Sequence, residues 1–191
     1  MSVWNRERGM PMGKQNPFQL DVVSVRLVRD APIFSEQKII NPESAIAVVG
    51  ELLCEMDREV VCIINLKSDG TPINCNFASV GAINQAVAEP RELFKSAILS
   101  NAATMIMVHN HPSGNVEPSK TDTVLTDRIL KLSVLLGIPL ADHVIVGGDN
   151  RSYFSFKEKG LLTMPQISLV QHYQELDFQE NTKVAERGRR R

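Results

Sequence analysis

Cysteine is scarce in this 191-residue chain: Cys54, Cys62 and Cys75 are odd in number and show no C-x-x-C spacing. That excludes a disulfide framework and a cysteine-built zinc site, and leaves buried reduced thiols. Charge of either sign is not in excess. The formal net charge is −1 and the sequence pI about 6.4, which is not the footprint of a dedicated nucleic-acid binder. No apolar run approaches the ~20 residues that cross a bilayer. The segment from Trp4 to Gln19 is polar and broken by Gly and Pro, so it carries no secretory h-region. A Gly-rich phosphate loop and internal repeats are also missing. The expected location is the cytoplasm, away from membranes. What is present, 43% apolar and 23% charged residues, suits one packed core with short appendages.

Residues 1–19 read as a flexible leader with breakers at Gly9, Pro11, Gly13 and Pro17. From Leu20 to Val28 partial alternation and β-branching predict a strand. Asn41-Pro42 predicts a helix start, with Ala45, Val49, Leu52 and Met56 on one face. Glu59 to Leu66 reads as a central strand and Ile73 to Val80 as its hairpin partner across Ser68-Asp69-Gly70. A helix is expected from Pro90 to about Asn101, with Leu93, Ala97 and Ile98 inward. Ala102 to Val108 is expected as a buried strand, and a helix from Ser119 shows Leu125, Ile129, Leu132 and Leu136 on one face until Gly137 stops it. Strands follow at Asp142–Gly147 and Arg151–Phe156. Together these predict an α/β domain over residues 20–160, with a mixed sheet and helices on both faces. A C-terminal extension, 161–191, is expected to begin a short amphipathic helix at Ile167–Val170 and to end in a basic tail, Lys183–Arg191.

The chemistry concentrates in His109-Asn-His111-Pro-Ser-Gly-Asn-Val-Glu-Pro-Ser119-Lys-Thr-Asp122, which holds two of the chain's 4 histidines. Side chains at i and i+2 of a strand share a face, so His109 and His111 aim two imidazoles one way at the strand's end. The chain then bends through Pro112, Ser113, Gly114 and Pro118 and starts a helix whose first turn contains Asp122. Two neutral imidazoles and a carboxylate make a three-ligand zinc set with a fourth position for water. By composition, H-x-H-x7-S-x2-D arises by chance in roughly 3 of 10,000 such chains, so the pattern is specific. Ser119 and Asp122 also read as a helix cap, Ser at N-cap and an acid at N3, which is compatible with a metal role. A zinc site of this kind needs a general base that is not itself a ligand. Glu51, Glu55, Glu59 and Glu117 are the candidates, with Glu59 at the mouth of the strand expected beside the histidine strand. Ser119 is placed to donate a hydrogen bond to a developing oxyanion. His143, following Asp142 at the start of a strand, reads either as a group supporting the ligands from behind or, the preferred reading, as structural, and stays outside the ligand set.

The pattern Glu59…His109-x-His111-x7-Ser119-x2-Asp122 resembles the JAMM motif of the MPN/JAB metalloprotease superfamily. More closely, Glu-Pro-Arg-Glu-Leu-Phe-Lys (89–95), His-Asn-His-Pro-Ser-Gly-Asn (109–115) and Gly-Ile-Pro-Leu-Ala-Asp-His-Val-Ile-Val-Gly (137–147) resemble the RadC family's JAB domain. The resemblance covers roughly residues 20 to 160. It implies a cytidine-deaminase-like α/β/α three-layer fold, one zinc ion (Zn2+) per chain and a hydrolytic metallopeptidase-type site. It implies His109, His111 and Asp122 as metal ligands, Glu59 as acid/base and Ser119 as transition-state hydrogen-bond donor. Position 89 is Glu where the family often has His. The roughly 40 residues before the first helix do not read as the family's helix-hairpin-helix segment.

Three functions follow as expectations. The first is a zinc-dependent peptidase or isopeptidase acting on an unidentified peptide or protein. The second is a DNA-associated factor in repair or mobile-element biology, supported by the resemblance and the Arg189-Arg190-Arg191 tail. The third is a binding module that keeps zinc only as a staple. Sequence specifies neither substrate nor oligomeric state.

Overall fold

The computed structural model describes residues 23–80 and 88–167. The elements run α1 (Pro42–Cys54), β1 (Val60–Leu66), β2 (Pro72–Val80), α2 (Pro90–Leu99), β3 (Thr104–Asn110), α3 (Lys120–Leu136), β4 (Leu140–Val146) and β5 (Tyr153–Ser155). Five strands form one sheet in the order β2-β1-β3-β4-β5. β1 pairs antiparallel with both β2 and β3, β3 and β4 are parallel, and β4 pairs antiparallel with β5. The α/β architecture with a mixed sheet is therefore as expected.

The β1–β2 hairpin closes at Gly70, whose φ is +80°. A Cβ there would stand 2.8 Å from the Ile39 carbonyl oxygen, so both the left-handed backbone and the close approach require glycine. The connection between β3 and β4 must cross over to keep them parallel, and α3 is that crossover.

Side-chain parity builds the three layers. Val60, Cys62, Ile64 and Leu66 of β1, with Ile106, Val108, Val144 and Val146, pack against Ala45, Ile46, Val49 and Leu53 of α1. The opposite parity, Val61, Ile63, Met105 and Met107, packs against Leu93, Phe94 and Ala97 of α2 and Ile129 and Leu130 of α3, joined by Leu140, which precedes the irregularity in the β3–β4 pairing. β1 is buried along its whole length, which explains its near-continuous apolar sequence. α1 is fixed at its start by a reciprocal cap: the Ser44 amide donates to Asn41 Oδ1 at 2.9 Å, and the Asn41 amide to Ser44 Oγ at 3.1 Å.

Several expectations shift. Residues 23–28 form no strand; Val23, Val25 and Leu27 are exposed and have no sheet partner among the described residues. Leu52 and Met56 are 39% and 38% exposed, because the buried stripe of α1 runs through Ile46 and Leu53. Ile98 is 50% exposed and Leu136 45%. The inward stripe of α3 is Asp122, Thr126, Ile129, Leu130 and Ser133, three of the five polar, so the apolar spacing pointed to a rotated face. The last strand shortens to Tyr153–Ser155. The helix proposed from Ile167 lies beyond the described residues except at Ile167 itself, and the basic tail lies wholly outside them. Among the described residues no helix is long and apolar enough to cross a membrane.

Candidate metal centre

The centre sits where β3 ends and α3 begins. Alternation along β3 puts His109 on the same face as Met105 and Met107, toward α3. His111 lies just past the strand but keeps its register, its amide donating to the Val146 carbonyl at 3.0 Å. The loop then folds back: Gly114, at φ +78°, donates its amide to the His111 carbonyl at 2.9 Å. Helix α3 opens with a capping box. The Asp122 amide donates to Ser119 Oγ at 3.1 Å, and the Ser119 amide to Asp122 Oδ2 at 2.7 Å. The cap expected from Ser119 and Asp122 is thus present, and it aims the Asp122 carboxylate at the histidines. The helix N-terminus also favours a negative charge there.

His109, His111 and Asp122 are all buried and offer ligand atoms within 4.8 Å of one another. His109 Nε2 lies 3.0 Å from His111 Nε2 and 3.3 Å from Asp122 Oδ1, and His111 Nε2 lies 3.5 Å from Asp122 Oδ2. A tetrahedral zinc site with bonds of ~2.0–2.1 Å has ligand–ligand edges of ~3.3 Å, close to these spacings, although each Asp122 oxygen faces a different imidazole. The donor set, two imidazoles and one carboxylate, fits its chemistry as well. His111 Nδ1 lies 2.6 Å from the Asn115 carbonyl oxygen; a carbonyl only accepts, so Nδ1 carries the proton and Nε2 turns a lone pair inward. A His-His-Asp group of this kind can bind a metal ion.

The group is strongly polarised. The Asp122 carboxylate facing Nε2 can accept a hydrogen bond from the doubly protonated ring, which raises the pKa of His111 against the opposing effect of burial, and the Asn115 carbonyl and the Glu59 charge add to the rise. Burial disfavours the Asp122 carboxylate, but the facing His109 and His111 imidazoles outweigh that and hold it well below the usual carboxylate range.

Glu59 immediately precedes β1 and is half-buried. Its negative charge reaches His111. Of the other candidate bases, Glu51 lies on the exposed side of α1, Glu55 at the exposed end of that helix, and Glu117 in the exposed loop before α3. Val61 pairs with His109 across the β1–β3 ladder, which sets Glu59 at the same end of the sheet as the histidines. Ser119 is exposed. Its oxygen already accepts from Asp122, leaving the hydroxyl proton free to donate.

Two residues, Asn110 and His143, have long-range partners that sequence did not specify. The Asn110 side chain clamps the segment carrying Glu59: its Oδ1 accepts from the Val60 amide at 2.8 Å and its Nδ2 donates to the Arg58 carbonyl at 3.0 Å. His143 is fully buried behind His109, its Nε2 2.8 Å from His109 Nδ1. A histidine inside the apolar strand Leu140–Val146 was the available signal, since burying such a group costs free energy unless it is hydrogen-bonded.

Residues 39–161 match the profile of the RadC-like JAB domain. The chain belongs to this family. The UPF0758 protein of Desulforamulus reducens is 43% identical over 121 residues, 63% of this chain and 52% of that protein. The UPF0758 protein of Methanosarcina acetivorans is 35% identical over 154 residues, 79% of this chain and 66% of that protein. The Thermotoga maritima protein of the same name is 43% identical over 107 residues, 56% of this chain and 47% of its own. The chain thus spans about half to two thirds of the length of these curated relatives. The JAB match contains α1, all five strands and the whole His-His-Asp group.

Proposed function

We propose that this RadC-like JAB domain is a zinc-dependent hydrolase of the metallopeptidase or isopeptidase type, cleaving an amide in a peptide or protein. The observation that carries the proposal is the convergence of His109, His111 and Asp122 at zinc-like spacing beside Glu59. His109 Nε2, His111 Nε2 and an Asp122 oxygen would hold the ion. Zinc bound there would supply a Lewis acid and bring the pKa of a bound water to ~7.

The chain's own residues divide the remaining work. Glu59 takes the proton of the attacking water and delivers it to the leaving nitrogen. Ser119 donates its hydroxyl proton to the oxygen that gains charge as the carbonyl becomes tetrahedral. Asp122 has two duties, holding the ion and fixing the first turn of α3, so ligand geometry and helix start are set by one side chain. The test is cleavage of a peptide library by the zinc-loaded protein. Replacing Glu59 by Gln keeps shape and removes the base, and turnover should fall by ~10²–10⁴-fold. Equal turnover in wild type and Glu59→Gln would show that Glu59 is not the base and would favour zinc as a staple.

A further inference from the structure

Thr126, His143 and His109 form a buried file leading from α3 through β4 to the candidate ligand set. Thr126 Oγ1 lies 2.6 Å from the Asp122 carbonyl oxygen and 2.7 Å from His143 Nδ1, and His143 Nε2 lies 2.8 Å from His109 Nδ1. Each contact is within hydrogen-bond length, so the protons must be shared out consistently along the file.

Only one distribution satisfies all three. The Asp122 carbonyl is an acceptor, and the Thr126 hydroxyl has a single proton, which goes there. Thr126 Oγ1 then accepts from His143 Nδ1. His143 is wholly buried and stacked on Phe156 with ring centroids 4.7 Å apart. Its two ring nitrogens face a hydroxyl and another imidazole, with no carboxylate against them, so it is neutral. With Nδ1 protonated, its Nε2 is bare and accepts from His109 Nδ1. His109 therefore presents a bare Nε2, the atom that lies 3.0 Å from His111 Nε2 and 3.3 Å from Asp122. The reverse order leaves Thr126 Oγ1 and the Asp122 carbonyl facing each other with no proton between them. It also protonates His109 Nε2, where a metal needs a lone pair.

We propose that Thr126 and His143 are positioning residues: together they lock His109 in the Nδ1–H tautomer so that Nε2 is available to a metal ion. The proposal rests on the metal-centre reading above. It also explains why the inward stripe of α3 is polar at Thr126: the helix that supplies Asp122 fixes, one turn later, the tautomer of its co-ligand. His111 reaches the same state separately, through Asn115.

The test titrates zinc chloride into the metal-free full chain against a chromophoric chelator. Thr126→Val is nearly isosteric and deletes the acceptor, and His143→Phe deletes the imidazole. Each should weaken zinc binding by ~10–100-fold, while Thr126→Ser stays within about threefold of wild type. Long-range 1H–15N spectra of the metal-free protein, above the ordinary histidine titration range, should show His109 as the Nδ1–H tautomer, and a tautomer mixture in Thr126→Val. Should His143→Phe fail to fold, Thr126→Val carries the test alone. Zinc affinities of Thr126→Val and His143→Phe within about threefold of wild type, with His109→Ala binding lost, overturn the tautomer lock and leave the metal reading standing. So does a His109 ring found as Nε2–H. Unchanged binding in His109→Ala overturns both.

Discussion

Replacing Asn110 by Ala removes both halves of the clamp on the Glu59 segment. The Val60 amide loses its 2.8 Å partner. Val60 and Asn110 are each only 2% exposed, so water does not take the vacant place readily. An unsatisfied buried donor costs ~1–3 kcal/mol. The Arg58 carbonyl loses its 3.0 Å donor, but Arg58 is exposed, so solvent restores most of that bond. The expected loss of stability is therefore about 2 kcal/mol. With a urea m-value of about 2 kcal/mol/M, the unfolding midpoint should fall by about 1 M at unchanged m. Zinc affinity should change little, because His109, His111 and Asp122 keep their own supports. Asn110→Asp separates the two bonds: a carboxylate still accepts from Val60 but faces the Arg58 carbonyl without a donor, and it should be destabilised as well. A midpoint shift in Asn110→Ala below about 0.25 M, about 0.5 kcal/mol, would refute the clamp. An equal collapse of zinc affinity would place Asn110 with the ligands.

Other consequences follow from the same geometry. Folding of the metal-free protein is linked to pH through two groups with opposite signs. His111 is raised above 6.5, so its contribution is complete below 6.5 and lost as pH rises through its folded pKa. Asp122 is lowered from 3.8, so its contribution is present above 3.8 and lost as pH falls. The metal-free protein should accordingly gain most from this pair between about pH 4 and 6.5, a dependence that thermal melts should show flattened in Asp122→Asn. Zinc reverses the trend at the high end: calorimetry in buffers of different ionisation enthalpy should record more protons released on zinc binding at pH 6 than at pH 8. Ser119→Ala deletes the cap acceptor and should cost ~1 kcal/mol in urea melts, and it should lower turnover while leaving zinc bound; unchanged turnover removes Ser119 from the oxyanion role.

The site was legible where chemistry and local order coincide. His109 and His111 are two apart on a strand, and Ser119 and Asp122 are three apart at a helix start, so sequence spacing alone predicts direction at both ends of the loop. The sheet centre was legible for a similar reason: β1 and β3 are buried on both faces and read as apolar runs. Helix faces were less legible. The stripe on α3 contains Asp122, Thr126 and Ser133, and a search for apolar spacing selects a neighbouring face. Val23 to Val28 has the composition of a strand, but strand formation depends on a partner, which is a tertiary fact. The Asn110 clamp spans 50 residues and the His143–His109 contact 34. Such pairs become visible only once the register of β1, β3 and β4 is known.

On the function proposed above, one divalent ion is held by His109, His111 and Asp122. Elemental analysis of the purified chain after zinc loading and exhaustive dialysis tests it most directly, alongside His109→Ala with an unchanged circular dichroism spectrum. One zinc per chain is expected in wild type and close to none in the variant. Equal metal content in the two proteins, or a wild type that retains no zinc, contradicts it.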